Sequence, residues 1–256
     1  MTDSVHAAVI LIGEELLSGK IDDLNGKLAI RSFRDAGIRL RELRCIGDEV
    51  DRIAAVVREA SDQHDLVVTS GGIGPTHDDV TMKGLARAFE VPLVEHAGMR
   101  QLIERRFAHA PDQVRVWVRM AMLPEGCEVI QESDARLPIY RMRNVWALPG
   151  IPELFAVQLP EVIRHHGGRR LVMHTLYLTV GEGVIAESLE AVLEDAARRG
   201  YRVSIGSYPV LDVSSHRTRV TVESEELSHV TAVVDLLVRL LPDEFVLRID
   251  AGDRLS

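Results

Sequence analysis

The apolar residues of this chain fall into short unbroken runs that alternate with stretches of helical period. Residues 7–12 (AAVILI) and 66–69 (LVVT) are continuous apolar runs, the pattern of strands covered on both faces in a parallel sheet. Between them, residues 24–36 place Leu28, Ala29, Phe33 and Ala36 on one helical face, with Gly37 at the position that ends a helix. Residues 38–46 read as a strand of mixed polarity. Residues 49–62 read as a helix with Ile53, Val56, Val57 and Ala60 on its apolar face, and residues 80–89 as another after the second apolar run. The order βαβαβα with short connections predicts an α/β domain on a doubly wound, mostly parallel sheet. Such sheets bind ligands at the carboxyl ends of their strands. The loops at 13–25, 47–49 and 70–79 all lie on that edge and all carry acids, so they are expected to converge on one crevice. Leu16 and Leu17 are expected to anchor the first of them.

Farther along, residues 96–110 read as a helix stopped by Pro111, and residues 114–122 as a further helix. Residues 127–131 and 139–148 read as two strands around a polar loop. Leu148-Pro-Gly-Ile-Pro152 is a rigid turn that opens a helix running to about His166. The run His165-His-Gly-Gly-Arg-Arg170 reads as a solvated helix end and linker, which divides the chain into domains at 1–168 and 169–256. The second, smaller part reads as strand 171–180, helix 182–199, strands 201–207 and 216–223, helix 226–241 and strand 245–249. That βαββαβ order is the ferredoxin-like α+β arrangement.

The chemistry concentrates in Ser70-Gly-Gly-Ile-Gly-Pro-Thr-His-Asp-Asp-Val-Thr81. A strand, a turn with three glycines and a helix start together present backbone N–H groups to a phosphate. The sequence is neither a Walker loop nor a dinucleotide fingerprint. Asp78 and Asp79 change the picture, because carboxylates beside a phosphate need a cation between them. Helix capping is the plainer role for Asp79, and equally for Asp48 ahead of residue 49 and for Asp23 ahead of residue 24. Asn25 suits a ribose or a cap. Thr76, Thr81 and His77 suit a phosphate or local backbone bonding. The formal net charge of −9 gives no electrostatic footprint for nucleic acid. Cys45 and Cys127 lack metal-ligand spacing and read as reduced, buried thiols. The apolar run near the N-terminus is too short for a signal peptide or membrane span, so a cytoplasmic protein with no membrane partner is expected.

Four segments carry a family resemblance that spans most of the chain in order. Gly13-Glu-Glu-Leu-Leu-Ser-Gly-Lys-Ile-Asp-Asp-Leu-Asn25, the glycine-rich segment 70–81 and Leu148-Pro-Gly-Ile-Pro-Glu153 resemble three motifs of the competence/damage-inducible protein A (CinA) family. Ile205-Gly-Ser-Tyr-Pro209 resembles a motif of that family's small domain, shared with the N-terminal part of eukaryotic FAD synthase. The resemblance implies the molybdopterin-binding fold of molybdopterin adenylyltransferases. It implies hydrolysis of a nucleotide pyrophosphate, ADP-ribose or FAD, with a divalent metal (magnesium or cobalt) and potassium, in a homodimer. A pterin- or nucleotide-binding protein without catalysis is the alternative. Asp79 and Asp48 match the positions of two aspartates that matter in those adenylyltransferases and are the implied catalytic residues. Glu15 and Asp23 join them as implied metal ligands, and Ser70, Gly71, Gly72, Gly74, Thr76, Asn25, Pro149 and Gly150 are the implied nucleotide contacts. The chain departs from the family where a Lys-Gln-Ala run is replaced by Arg119-Met-Ala121 and where a Gly-Thr-Ala-Pro-Gly segment is replaced by Asp134-Ala-Arg-Leu-Pro138. Nothing in the sequence resembles the nicotinamide mononucleotide deamidase domain found in some bacterial members, and that activity is not expected.

Overall fold

The computed structural model describes residues 5–131, 137–167, 171–211 and 215–252. The chain divides into two compact units, residues 1–168 and 169–256. The first begins β1 (His6–Ile12), α1 (Glu14–Leu17), α2 (Asn25–Asp35), β2 (Arg39–Ile46), α3 (Val50–Gln63), β3 (Leu66–Ser70) and α4 (Thr81–Ala88). It continues with β4 (Leu93–Glu95), α5 (Ala97–Arg106), α6 (Pro111–Trp117), a 3₁₀ turn (Val118–Ala121), β5 (Met122–Pro124), β6 (Glu128–Ile130), β7 (Ile139–Met142), β8 (Val145–Leu148) and α7 (Pro152–His166).

Six strands form one sheet in the order β2-β1-β3-β8-β7-β6. Pairing is parallel from β2 through β8 and antiparallel for β7 and β6. The unbroken apolar runs follow from this layering, because both sheet faces are covered. Ile10, Ile12 and Val67 join a core with Ile53, Val57 and Leu85 from α3 and α4. Val9, Leu11, Leu66 and Val68 alternate to the other face and pack with Phe33, Phe155 and Leu159 from α2 and α7. Burying each such side chain stabilises the fold by roughly 1.5–3 kcal/mol. The register pairs Ile12 with Ile46, Leu11 with Ser70 and Ser70 with Leu148. The carboxyl ends of β2, β1, β3 and β8 therefore lie side by side.

Some expectations change. The stretch 139–148 is not one strand but a tight hairpin, turning at Arg143 with φ 56°. Pro111 opens α6 at its first position rather than ending the preceding helix, as its missing N–H allows. Leu17 is 53% exposed and anchors nothing. Cys45 is exposed, while Cys127 is buried and its thiol is pushed up to about 12 by that burial. The helix end at His165 and His166 is not simply solvated: both rings pack on the buried Trp146, at 5.1 and 5.7 Å between centroids. The family departure at 134–136 and the linker at 168–170 fall outside the described residues.

The second unit contains β9 (Val172–Leu178), α8 (Glu182–Arg198), β10 (Ser204–Pro209), β11 (Thr218–Ser224), α9 (Leu227–Leu240), a short 3₁₀ turn (Asp243–Phe245) and β12 (Val246–Ala251). Its sheet runs β10-β11-β9-β12, antiparallel throughout. This is the split βαβ topology. Its core joins Leu176, Val220 and Val222 to Ile185, Val192, Val230 and Leu237.

Candidate functional site

Above the carboxyl ends of β1, β3 and β8 lies a cleft of about 480 Å³, within the range of small-molecule sites. The turn after β3 forms its floor. Gly71 has φ +107°, and a Cβ there would sit 2.1 Å from the Ile12 carbonyl oxygen, so only glycine lets β1 and this turn approach so closely. The Gly71 N–H donates to the Leu148 carbonyl at 3.1 Å. Gly71 is therefore committed to the scaffold and does not offer its N–H to a ligand. Among the described residues no hydrogen bond engages the N–H of Gly72 or Gly74. The Thr81 hydroxyl closes the turn by donating to the Gly71 carbonyl at 2.8 Å.

Asn25 joins three loops. Its Nδ2 donates to Ser70 Oγ at 2.9 Å and to the Gly150 carbonyl at 2.8 Å, and the residue is 6% exposed. Ser70 Oγ in turn donates to the Pro149 carbonyl. These bonds draw the start of α2, the end of β3 and the turn before α7 together around the cleft.

The acids divide into two groups. Glu15, Asp23 and Asp79 border the cleft with Ser70, Gly71, Gly72, Gly74, Asn25, Pro149 and Gly150; Asp48 and Thr76 do not. Asp79 Oδ2 accepts from Thr76 N at 2.7 Å and from the Thr76 hydroxyl. It closes its own loop rather than capping α4, whose start at Val80 has no side-chain cap. The neighbouring Asp78 carboxylate is held below its usual range by the nearness of the Thr76 side chain first and its own backbone N–H next. Asp23 Oδ1 accepts from Gly26 N at 2.8 Å and caps α2. Asp48 Oδ2 accepts from Glu14 N at 2.9 Å. It thus caps α1, not α3, whose start at Glu49 also lacks a side-chain bond. The loop at 47–49 therefore braces the first loop instead of entering the crevice. Partial desolvation first, then the charges of Asp23 and Glu15, pushes up the thiol of Cys45, in β2 near this edge.

Among the described residues no three His, Cys, Asp or Glu side chains converge as a ready metal site. Asp23 and Asp79 each already commit one oxygen to a backbone N–H. This donor set fits a hard cation that takes one or two carboxylates and completes its shell with phosphate and water, the habit of magnesium.

Sequence reasoning missed Trp117, Met120 and Leu137 as part of the apolar lining of the cleft. Residues 111–121 read as an ordinary amphipathic stretch, with Asp112, Arg115 and Arg119 at helical spacing, and no spacing signal marks its apolar positions as ligand-facing.

Comparisons place this architecture. Residues 8–172 match the family described as "Probable molybdopterin binding domain", and residues 170–250 match "FAD synthase, middle domain". A "Probable FAD synthase" of Caenorhabditis elegans is 30% identical over 264 residues, covering 94% of this chain and 50% of that protein. A "CinA-like protein" of Frankia casuarinae is 32% identical over 213 residues, covering 77% of this chain and 49% of that protein. The chain thus spans about half the length of these curated relatives. The crystal structure of CinA from Thermoplasma acidophilum aligns with TM-score 0.57 and 27% identity over 64% of this chain and 99% of that one. With residues 8–172 matched, a region that takes in every residue bordering the cleft, the chain belongs to the probable molybdopterin binding domain family and has CinA-like proteins among its relatives.

Proposed function

We propose that the cleft hydrolyses a nucleotide pyrophosphate, ADP-ribose or FAD, with the help of a divalent cation, magnesium or cobalt, and potassium as a further ion. The observation that carries this reading is that Glu15, Asp23 and Asp79, from two separate loops, border the same cleft as the glycine-rich turn. A binder of phosphate needs N–H donors; it has no use for several carboxylates unless a cation offsets their repulsion.

Gly72 and Gly74 donate their N–H groups to the phosphates and stabilise the charge that develops as the bond breaks. Asp79, kept in place by Thr76, would hold the cation with one of Glu15 and Asp23, and phosphate and water would complete its shell. The cation, when bound, lowers the pKa of water and shields phosphate charge. Asn25 fixes the walls around the nucleotide. Water attacks one phosphorus, a P–O bond forms, and the bridging P–O bond breaks. The products are AMP plus ribose 5-phosphate, or AMP plus FMN.

A second reading, a binding protein for a pterin or nucleotide, draws on the absence of a preassembled carboxylate triad among the described residues. A panel of ADP-ribose, FAD, NAD and molybdopterin, each with and without magnesium or cobalt, separates the two. Metal-dependent release of AMP supports hydrolysis; binding without turnover supports the second reading.

A further inference from the structure

The lining of the cleft is chemically mixed: beside the carboxylates, Ser70, Asn25 and the glycine turn, part of its wall comes from Trp117 and Met120, in α6 and the 3₁₀ turn after it, with Leu137. Trp117 is the one aromatic side chain bordering the cleft among the described residues. The indole is braced on two sides. It stacks on Phe107 at 5.3 Å between centroids and 27° between planes. Its Nε1–H donates to Gln113 Oε1 at 3.0 Å. Met120, 4% exposed, borders the same cleft.

This wall offers a ligand almost no hydrogen bonds. The indole N–H is already spent, the leucine side chain has no polar atoms, and the methionine sulfur is a weak acceptor. A ribose phosphate placed here would lose water and gain no partners, which is strongly unfavourable. A planar heteroaromatic ring gains stacking on a braced indole and contact with a polarisable sulfur.

We propose that Trp117 and Met120 form a ring subsite. Through it the cleft selects pyrophosphates that carry a heteroaromatic ring on both sides, such as FAD, over those that end in ribose phosphate, such as ADP-ribose. Trp117 is the specificity-determining residue. The proposal rests on the pyrophosphatase reading above.

The test compares kcat/KM for FAD and ADP-ribose in the wild type, Trp117→Ala, Trp117→Phe and Met120→Gln, with folding checked by thermal melting. The wild type should prefer FAD. Trp117→Ala should lower kcat/KM for FAD by about tenfold or more, mainly through KM, as expected for loss of one ring-stacking partner. ADP-ribose should change less than about twofold on the same scale, and Trp117→Phe should restore most of the FAD preference. Met120→Gln should shift preference toward ADP-ribose. Equal losses for both substrates would overturn the proposal, because the wall would then hold the shared adenine or merely support the fold. If neither substrate is hydrolysed, the pyrophosphatase reading fails by itself. The subsite is then judged by calorimetric titration with FMN and ribose 5-phosphate: FMN binding weakened by Trp117→Ala upholds it, and equal or absent FMN binding overturns it.

Discussion

Asp48 Oδ2 accepts the backbone N–H of Glu14 at 2.9 Å. The residue before it in sequence, Gly47, packs against the same Glu14 side chain. A carboxylate at the end of β2 thereby fixes the start of the loop that carries Glu15 to the cleft. Its contribution is capping and positioning, and a neutral acceptor of the same shape can supply it. Asp48→Asn should therefore keep near-normal stability and turnover. Asp48→Ala should lose about 1 kcal/mol of stability and raise KM for the nucleotide. Denaturant melts and steady-state kinetics on the pair check this. Turnover in the Asn variant far below wild type would show that the charge itself contributes.

Asp79 contrasts with Asp48 because it borders the cleft. Asp79→Asn keeps an oxygen for Thr76 N but removes the charge. Turnover should fall by on the order of 10²-fold, since each ~1.4 kcal/mol of lost transition-state stabilisation is tenfold. Nucleotide affinity without metal should barely change. Single-turnover assays beside equilibrium dialysis read both quantities; wild-type turnover in the Asn variant would reduce Asp79 to a loop brace.

The turn at Gly71 makes a steric prediction. Gly71→Ala must push a Cβ into the Ile12 carbonyl, whereas Gly126→Ala meets open space although Gly126 also has positive φ, +82°. The second change should cost about 1–2 kcal/mol, the left-handed penalty alone. The first should cost more than about 3 kcal/mol. Urea unfolding of the two variants separates clash from backbone strain.

His166 gives a pH dependence. Burial first, then Arg141 and His165, holds its pKa below the ordinary value of 6.5, with Asp65 opposing. The folded state thus resists protonation more than the unfolded chain. Stability from this group is complete above about pH 6.5 and declines as pH falls from there toward the depressed folded value. His166→Phe should flatten the melting-temperature profile between pH 7 and pH 5 relative to wild type. An unchanged slope would show that other groups set it.

The apolar runs at 7–12 and 66–69 were enough to place the central strands, because a strand buried on both faces can tolerate few polar residues. The glycines of 71–74 likewise marked the turn. The hairpin at Arg143 escaped notice because its left-handed residue is an arginine rather than the glycine that usually signals such a turn. Asp48 was misplaced for a different reason: sequence proximity favours capping the next helix, while its true partner Glu14 is 34 positions away. Trp117 and Met120 give no chemical signature in one dimension. Their role comes from which cavity they border, and that is a tertiary fact.

The two units keep their hydrophobic interiors apart: the clusters of the first draw only on residues 5–163, and that of the second only on 172–246. Each unit thus carries a core of its own, the organisation expected of a part that evolution can inherit and recombine as a unit.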